Sequence, residues 1–489
     1  MTCRLAALAA ALFAVTGGVH AQDVPSESVP SDSMPSDSMQ SGITQQDMLD
    51  AQARVRMGQG DARGALQMMR EHVANHPDDR DARLDLVRYL TWNGDFAAAE
   101  AVLMADPATA ASDAGREVHA SLLAWGGRLQ EAQALNAPLL AADADAFIPN
   151  YTQAIALRQT AQPRLALPYV AAVERVRPDS KDAVDLARST KVRTQSFVAF
   201  EYVRSDDSDD LVGSRPTVRA DIAHGDALHF TAELGRWDNS APAGSPFVAV
   251  DGDRSVAQSR GLVGVRYASS PRTEWSAAAG HSSIDGDGTA LWRAAVDHRA
   301  NDSIRLGLSV DRDRLAISPR SLSLGIDRTA TIGQFHWTPD LRWTGDLIVR
   351  HDNYSDGNDS IEWMAALRRA VMRQPGMSLD LGAMVQHISH DESLGNGYYA
   401  PARYRRYGLT ANAYFGISDD VGLSLQGGLG RQRDETFTSW RRANDLGGSL
   451  VFGIHSPWQF LVHAGYSERV QMTGAYEGYS WGMALTRRF

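Results

Sequence analysis

The sequence predicts an α + β multidomain chain, an N-terminal α-solenoid of short helix pairs followed by a C-terminal antiparallel transmembrane β-barrel of about 16 strands. Three observations predict it. Over residues 45–190 small and apolar residues recur at a helical period, in a pattern that itself repeats every 34 residues. Past Lys191 apolar and polar residues alternate at period two as far as Phe489. The N-terminus has the makings of an export signal, yet no later segment offers 18 consecutive apolar residues, so an exported chain that enters a membrane must do so with strands.

The export signal is read over residues 1–21: Arg4, an apolar run from Leu5 to Val15, and a Val19-His20-Ala21 cleavage site. The run is too short to span a bilayer. Cys3 is the only cysteine and lies ahead of that run, so a mature chain starting at Gln22 carries no thiol nucleophile, disulfide or thiolate metal site. Residues 22–44 repeat Pro, Ser, Asp and Met with almost nothing to bury, and read as a disordered linker. A formal charge of −11 on 489 residues, with no clustered Lys/Arg face, argues against a general nucleic-acid binder, which needs basic surface to displace phosphate counterions.

In the helical region Gly60, Asp61 and Ala65 recur as Gly94, Asp95 and Ala99, then as Gly127 and Ala132, with Ala166 a further 34 residues on. Pro77 and Pro178 each lie 12 residues after the alanine of their repeat. A small residue where paired helices cross, and a proline closing the second helix, resemble the tetratricopeptide repeat. The resemblance covers four helix pairs. It departs from the family in lacking most of the Trp and Tyr positions, and in having Ala111 and Ala144 where proline would fall. An irregular α-solenoid is the alternative. Either way the concave face reads as a contact surface for protein or polymer.

Residues 195–489 read as the barrel. Short connections are expected near Gly225, Ser270, Ala300, Pro339, Gly376, Ser418 and Ser456, and long polar ones over Asp206–Arg215, Asn239–Gln258, Leu315–Asp327 and Ser389–Arg403. Such alternation distinguishes the periplasmic and extracellular rims of an outer-membrane barrel. An even strand count puts both barrel ends, and with them the helical repeats, in the periplasm. Trp458, Phe460, Val462, Ala464 and Tyr466 share one strand face against Gln459, His463, Ser467 and Arg469, and Leu341, Trp343, Leu347 and Val349 share another against Arg342, Thr344, Asp346 and Arg350. Trp343, Trp363, Trp458 and Trp481 fall near strand ends, where girdle aromatics belong. A soluble β-domain alternates as well, but has no need of that girdle. The last strand, with Trp481, Met483 and Leu485 leading to Phe489, resembles the C-terminal signal read by the barrel assembly machinery, from which Arg487 departs.

An export signal, tetratricopeptide-like repeats and a barrel of this size together resemble the outer-membrane secretins of biofilm exopolysaccharides, of the poly-N-acetylglucosamine porin and cellulose synthase operon protein C type. The shorter YaiO-like outer-membrane barrels share the same order of parts. Gly397-Tyr-Tyr-Ala-Pro-Ala-Arg-Tyr404 is similar to the aromatic-x-Pro-x-x-Tyr element of the cellulose family. The resemblance implies a porin-like exporter in the outer membrane of a Gram-negative bacterium, with lipid, the assembly machinery, polysaccharide and periplasmic proteins as partners and no cofactor. The four repeats are fewer than the known exporters carry. The alternative is a non-conducting barrel acting as a surface receptor or an envelope assembly protein.

If apolar faces meet lipid, the lumen receives Glu201, Arg219, Asp221, Glu233, Arg293, Asp297, Arg305, Asp311, Arg342, Asp346, Arg350, Glu362 and Asp380. Both signs alternate, so strong selection for one ionic charge is not expected. These residues either form a hydrated track for a polar polymer or pair with one another across strands. No catalytic or phosphate-binding motif stands in its expected context, and the chain is not expected to be an enzyme. His387, His390, Asp391 and Glu392 cluster as metal ligands do, but two histidines three apart on an extended chain point to opposite faces, and no metal site is assigned.

Overall fold

The structure is a computed structural model that describes residues 45–489 apart from Gly60 and Pro375. The expected export signal (1–21) and linker (22–44), and Gly60 of the first repeat, lie outside the described residues.

Helical pairing follows the 34-residue pattern. The pairs are α1 (Gln45–Gly58) with α2 (Ala62–Asn75), α3 (Arg80–Trp92) with α4 (Phe96–Met104), α6 (Asp113–Trp125) with α7 (Leu129–Ala142), and α8 (Phe147–Arg158) with α9 (Leu167–Val176). A short α5 (Pro107–Ala111) is inserted after the second pair, and α10 (Lys181–Thr194) leads into the barrel. Ala65, Ala99, Ala132 and Ala166 are each fully buried, so the recurring alanine is where the helices of a pair cross. Gly94 and Gly127 turn the chain between helices at φ +77° and +82°, a conformation that costs a Cβ-bearing residue dearly. Asp61 and Asp95 cap α2 and α4, accepting from the Gly64 and Ala98 amides at 2.9 and 3.3 Å. The third copy has Arg128 at this position and no side-chain cap of its own. Two apolar clusters, one around Met69, Leu86, Leu90 and Leu103, the other around Leu123, Ile155, Val173 and Leu186, hold the stack together.

The barrel strands are β1 (Phe197–Asp207), β2 (Val212–His224), β3 (Leu228–Ser240), β4 (Ser255–Ser270), β5 (Thr273–Ile284), β6 (Asp287–Arg299), β7 (Ile304–Arg314), β8 (Asp327–Trp337), β9 (Trp343–Tyr354), β10 (Asp359–Gln374), β11 (Met377–His390), β12 (Tyr404–Ser418) and β13 (Val421–Arg433). They continue with β14 (Arg441–Arg442 and, after Ala443 and Asn444, Asp445–Phe452), β15 (Trp458–Ser467) and β16 (Gly478–Arg488). Each pairs antiparallel with its sequence neighbours, and β1 pairs with β16 from Phe197↔Arg488 to Asp207↔Gly478, closing a 16-strand barrel without a free edge.

Strand pleating sends alternate residues outward, and there they are apolar: Leu234 is 64% exposed, Val263 69%, Leu409 66% and Leu429 70%. Water would not tolerate such a belt on a monomer; a bilayer requires it. Trp343 and Trp458 stand at one rim and Trp363 and Trp481 near the other, all outward. All seven expected short connections are short and share one rim. On the other rim two of the long loops are narrower than the sequence suggested, because strand pairing runs on into polar residues: Val203↔Arg215 and Asp206↔Val212 are in register, leaving only residues 208–211 between β1 and β2, and Asn239↔Val256 and Ser240↔Ser255 leave 241–254 between β3 and β4. The connection over 315–326 also holds an unforeseen helical turn, α11 (Pro319–Ser323), capped by Ser318. Leu341 is a further correction. Read as lipid-facing, it precedes β9 and packs on the helical core instead.

Candidate lumen and its two mouths

Twelve of the thirteen expected lumen residues lie on barrel strands, and the structure ties them into ion pairs or hydrogen bonds, all of them cross-strand except that of Arg350, whose partner Asp352 is on its own strand. Around the middle, Glu201 meets Arg219 at 2.9 Å, Arg219 lies 3.9 Å from Glu233, and Glu233 also receives Arg260 at 3.5 Å and Arg293 at 3.7 Å. Asp311 pairs with Arg328 at 3.5 Å, Arg350 with Asp352 at 2.7 Å, and Glu362 accepts from Gln386 at 2.8 Å. Nearer the short-turn rim a second belt joins Asp221 to His229 at 2.5 Å and Arg266 at 2.9 Å, Asp297 to Arg305 at 2.8 Å, Asp346 to His336 and Arg368, and Asp380 to Arg373 at 2.5 Å. Arg342 is the exception: it is exposed in the turn ahead of β9, since pairing with β10 begins only at Trp343.

Sequence reading missed the partners Arg260, Asp313, Arg328, Asp352 and Arg368. It also missed Asp445 and Arg406, which pair with each other, and so the third group they form with Arg469, the polar-face residue 3.7 Å from Asp445. The missing signal was strand pairing: Arg260 and Asp313 sit three strands apart, 2.9 Å from each other across the lumen wall. A cavity of about 460 Å³ remains beside β1 to β10. Its lining includes seven arginines and six carboxylates, so neither ionic sign prevails. Trp237 faces it with the Arg260 guanidinium 4.1 Å above its ring.

The mouth with the long loops is covered. The 315–326 connection folds inward, with Ala316 and Leu322 packed among Trp237, Val256 and Ile284, while Arg215 of β2 donates to the Ala316 carbonyl at 3.2 Å. Neighbouring loops lock onto it. Arg320 donates its amide to Phe247 O (2.9 Å) and its side chain to Gly395 O (3.0 Å), and the fully buried Ser318 hydroxyl donates to Gly397 O at 2.7 Å. The 397–404 segment is the hub. Tyr398 stacks on Tyr354 with centroids 5.1 Å apart, Tyr399 donates to Asp434 at 2.6 Å, and Tyr404 donates to Gln432 at 3.0 Å. Burial, reinforced by the Asp434 carboxylate, pushes the Tyr399 phenol well above its ordinary value, so the donor stays protonated. His390 is buried beside Tyr354 and Tyr398, whereas His387 lies against the outward Trp363, so these two histidines occupy opposite faces of β11.

The other mouth carries the helical domain, which contacts six of the seven short turns and, at the seventh, the adjoining end of β10. Arg164 pairs with Asp226 at 3.5 Å, the Ala161 amide donates to Pro271 O at 2.9 Å, and Leu341 lies under Gly126. Gly94 abuts Arg373, and Arg188 pairs with Asp420 at 2.6 Å and donates to His455 O. At the remaining turn the Asp302 carboxylate accepts from the Gln130 and Glu131 amides at 2.8 and 3.0 Å, on the helix α7 that lacks a cap of its own. The second, third and fourth helix pairs and then α10 therefore follow one another along the rim, and the irregular third repeat is completed by the barrel.

The last strand joins β1 and β15 with Trp481, Met483 and Leu485 outward, and the Phe489 amide donates to Ser196 O at 3.0 Å. Arg487 faces Trp458 in register and stacks 5.2 Å from its ring, which lets a charge stand among girdle residues.

Residues 56–122 match the family model of the tetratricopeptide repeat. No curated protein sequence matches the chain. Among solved structures, a bacterial polysaccharide outer membrane secretin is similar at 13% identity and a TM-score of 0.51, covering 60% of this chain and 99% of that one. OmpT, an outer membrane protein of Vibrio cholerae, matches at 8% identity and 0.33, covering 60% and 96%. The outer membrane protein OpdK of Pseudomonas aeruginosa matches at 9% and 0.33, covering 60% and 98%. The chain thus joins a tetratricopeptide-like helical region, matched to the repeat family over residues 56–122, to a closed antiparallel 16-strand barrel similar in fold to a polysaccharide outer membrane secretin.

Proposed function

We propose that this protein passes an exopolysaccharide outward through the outer membrane, with its helical domain in the periplasm as the docking scaffold at the entrance. The observation that carries this reading is the seating of the helical domain around the short-turn rim, on six of its seven turns and on the end of β10 beside the seventh: whatever reaches the lumen from that side meets the helical domain first. A periplasmic position for the short turns and extracellular long loops agrees with the general build of such barrels. The lumen suits a neutral or weakly charged polymer. Its charges are already balanced, so a sliding hydroxyl exchanges one weak polar contact for another. The protein acts by transport and not by catalysis in this reading, with the lipid bilayer, the barrel assembly machinery and periplasmic enzymes of the polymer as its partners.

The interlocked loops favour a second reading, a plugged barrel serving as a receptor or assembly protein. Under the export reading those loops are a gate that opens. Deleting the gene and measuring secreted polysaccharide separates the two: loss of secretion, restored by the intact gene and not by one encoding the barrel without residues 45–190, supports export. Unchanged secretion overturns it.

A further inference from the structure

The outer surface carries one feature that neither lumen nor repeats use. On β12 to β14, toward the long-loop rim, four arginines stand on the outward face above the apolar belt: Arg405, Arg431, Arg433 and Arg442, with Arg405↔Arg433 and Arg431↔Arg442 paired in register. Their neighbours on the same strand faces are Tyr407, Leu409 and Leu429, all outward. Like charges directly opposite one another are unfavourable in a sheet. Among the described residues none of the four has a carboxylate within ion-pair distance, on a chain whose net charge is −11 and whose lumenal arginines are nearly all partnered. A concentration of uncompensated charge implies an external anion.

The same place has a groove. β14 breaks at Ala443 and Asn444, where the Gly430 amide is left to the Asn444 side chain at 3.4 Å. Beside the break a cleft of about 640 Å³ opens, lined by Val385, Leu409, Leu429 and Tyr407 and flanked by Arg431 and Arg442. Trp440 meets Tyr407 edge to face at 5.0 Å at its upper end. An apolar cleft running down the lipid-facing wall, topped by guanidinium groups, fits a ligand with acyl chains below and phosphate above. Arginine forks match phosphate oxygens in pairs.

We propose that this groove is a binding site for the phosphorylated glycolipid of the outer leaflet, lipopolysaccharide, seated with its acyl chains against Leu409 and Leu429 and its phosphates on Arg431, Arg433 and Arg442. This rests on the long loops being extracellular. The site holds the lipid beside the gate loops, since Glu435, next to this cluster, accepts the Ala402 and Arg403 amides of the hub segment at 2.8 and 3.0 Å.

The test uses the full-length protein in detergent, purified lipopolysaccharide as the probe, and binding read by native mass spectrometry. The parent is expected to retain the intact lipid and to lose it about tenfold more readily when the lipid is enzymatically dephosphorylated, because charge-assisted contacts are the stronger part of the site. The triple variant R431Q/R433Q/R442Q should show the same loss with intact lipid, and R431K/R433K/R442K an intermediate one. Equal retention of intact and dephosphorylated lipid by the parent overturns the proposal whether or not the variants fold. Orientation is tested separately: a cysteine placed at Ser439 should react with an impermeant maleimide on intact cells. Failure there, with lipid binding intact, overturns the orientation and leaves the phosphate site standing.

Discussion

Removal of the Asp302 carboxylate is the sharpest perturbation of the contact between the two domains. In the first two repeats an aspartate caps the second helix, whereas the third has Arg128, and the cap arrives from a barrel turn 172 residues away. Asp302 accepts from two amides of α7, at 2.8 and 3.0 Å. Losing a helix cap costs about 1 kcal/mol, and losing a half-exposed negative charge at a helix N-terminus about 0.5 kcal/mol more. Together they amount to roughly tenfold in the local opening equilibrium. Asp302→Ala should therefore raise hydrogen exchange of the first turn of α7 about tenfold in the full-length protein, with β16 unchanged, while Asp302→Asn should fall between because asparagine caps nearly as well. Arg128→Asp in the Asp302→Ala background should restore protection to α7 without restoring the seat on the barrel. If Asp302→Ala leaves α7 exchange unchanged, the barrel does not complete the third repeat and the reasoning fails.

Three further outcomes follow from particular contacts. Gly397→Ala places a methyl group against the Ser318 hydroxyl and Arg320 at a φ of +84°, so it should loosen the covering loops and speed trypsin cleavage near Arg320 in the folded protein; an unchanged cleavage rate would count against the hub. Burial pushes the Glu117 carboxyl above its ordinary range, with Arg88 opposing. The resulting penalty is absent below the ordinary carboxylate value and complete once pH has risen past the raised one, so Glu117→Gln should stabilise the helical domain at pH 7 and not at pH 3, as read by exchange or thermal unfolding. Arg487→Ala should cost no more than about 1 kcal/mol, the worth of an exposed cation–π contact, and leave heat-modifiable migration intact, whereas deletion of Phe489 should slow assembly in cells.

Much of this architecture was legible because its physics is periodic. The 34-residue recurrence of Ala65, Ala99, Ala132 and Ala166 marked the helix crossings, and period-two alternation set which residues meet lipid. What escaped was non-local. Leu341 reads as one more apolar strand residue until the helical domain is seated over it, and Arg128 reads as decay of a repeat until Asp302 is seen beside it. Likewise the lumen arginines Arg260 and Arg328 were omitted because a single strand does not reveal which carboxylate lies across from it. The motif at 397–404 was noticed by resemblance alone; its work as the hub of the covering loops depends on Ser318 and Asp434, which are distant in sequence.

The most direct test of the central claim is single-channel current through the full-length protein in a planar bilayer, with and without residues 316–325 of the inward-folded loop. The export account predicts a parent that is mostly closed, and a trimmed protein that conducts steadily with weak ion selectivity and is blocked transiently by a neutral oligosaccharide added to the side of the helical domain. A trimmed protein that is folded, inserted and still silent would contradict it.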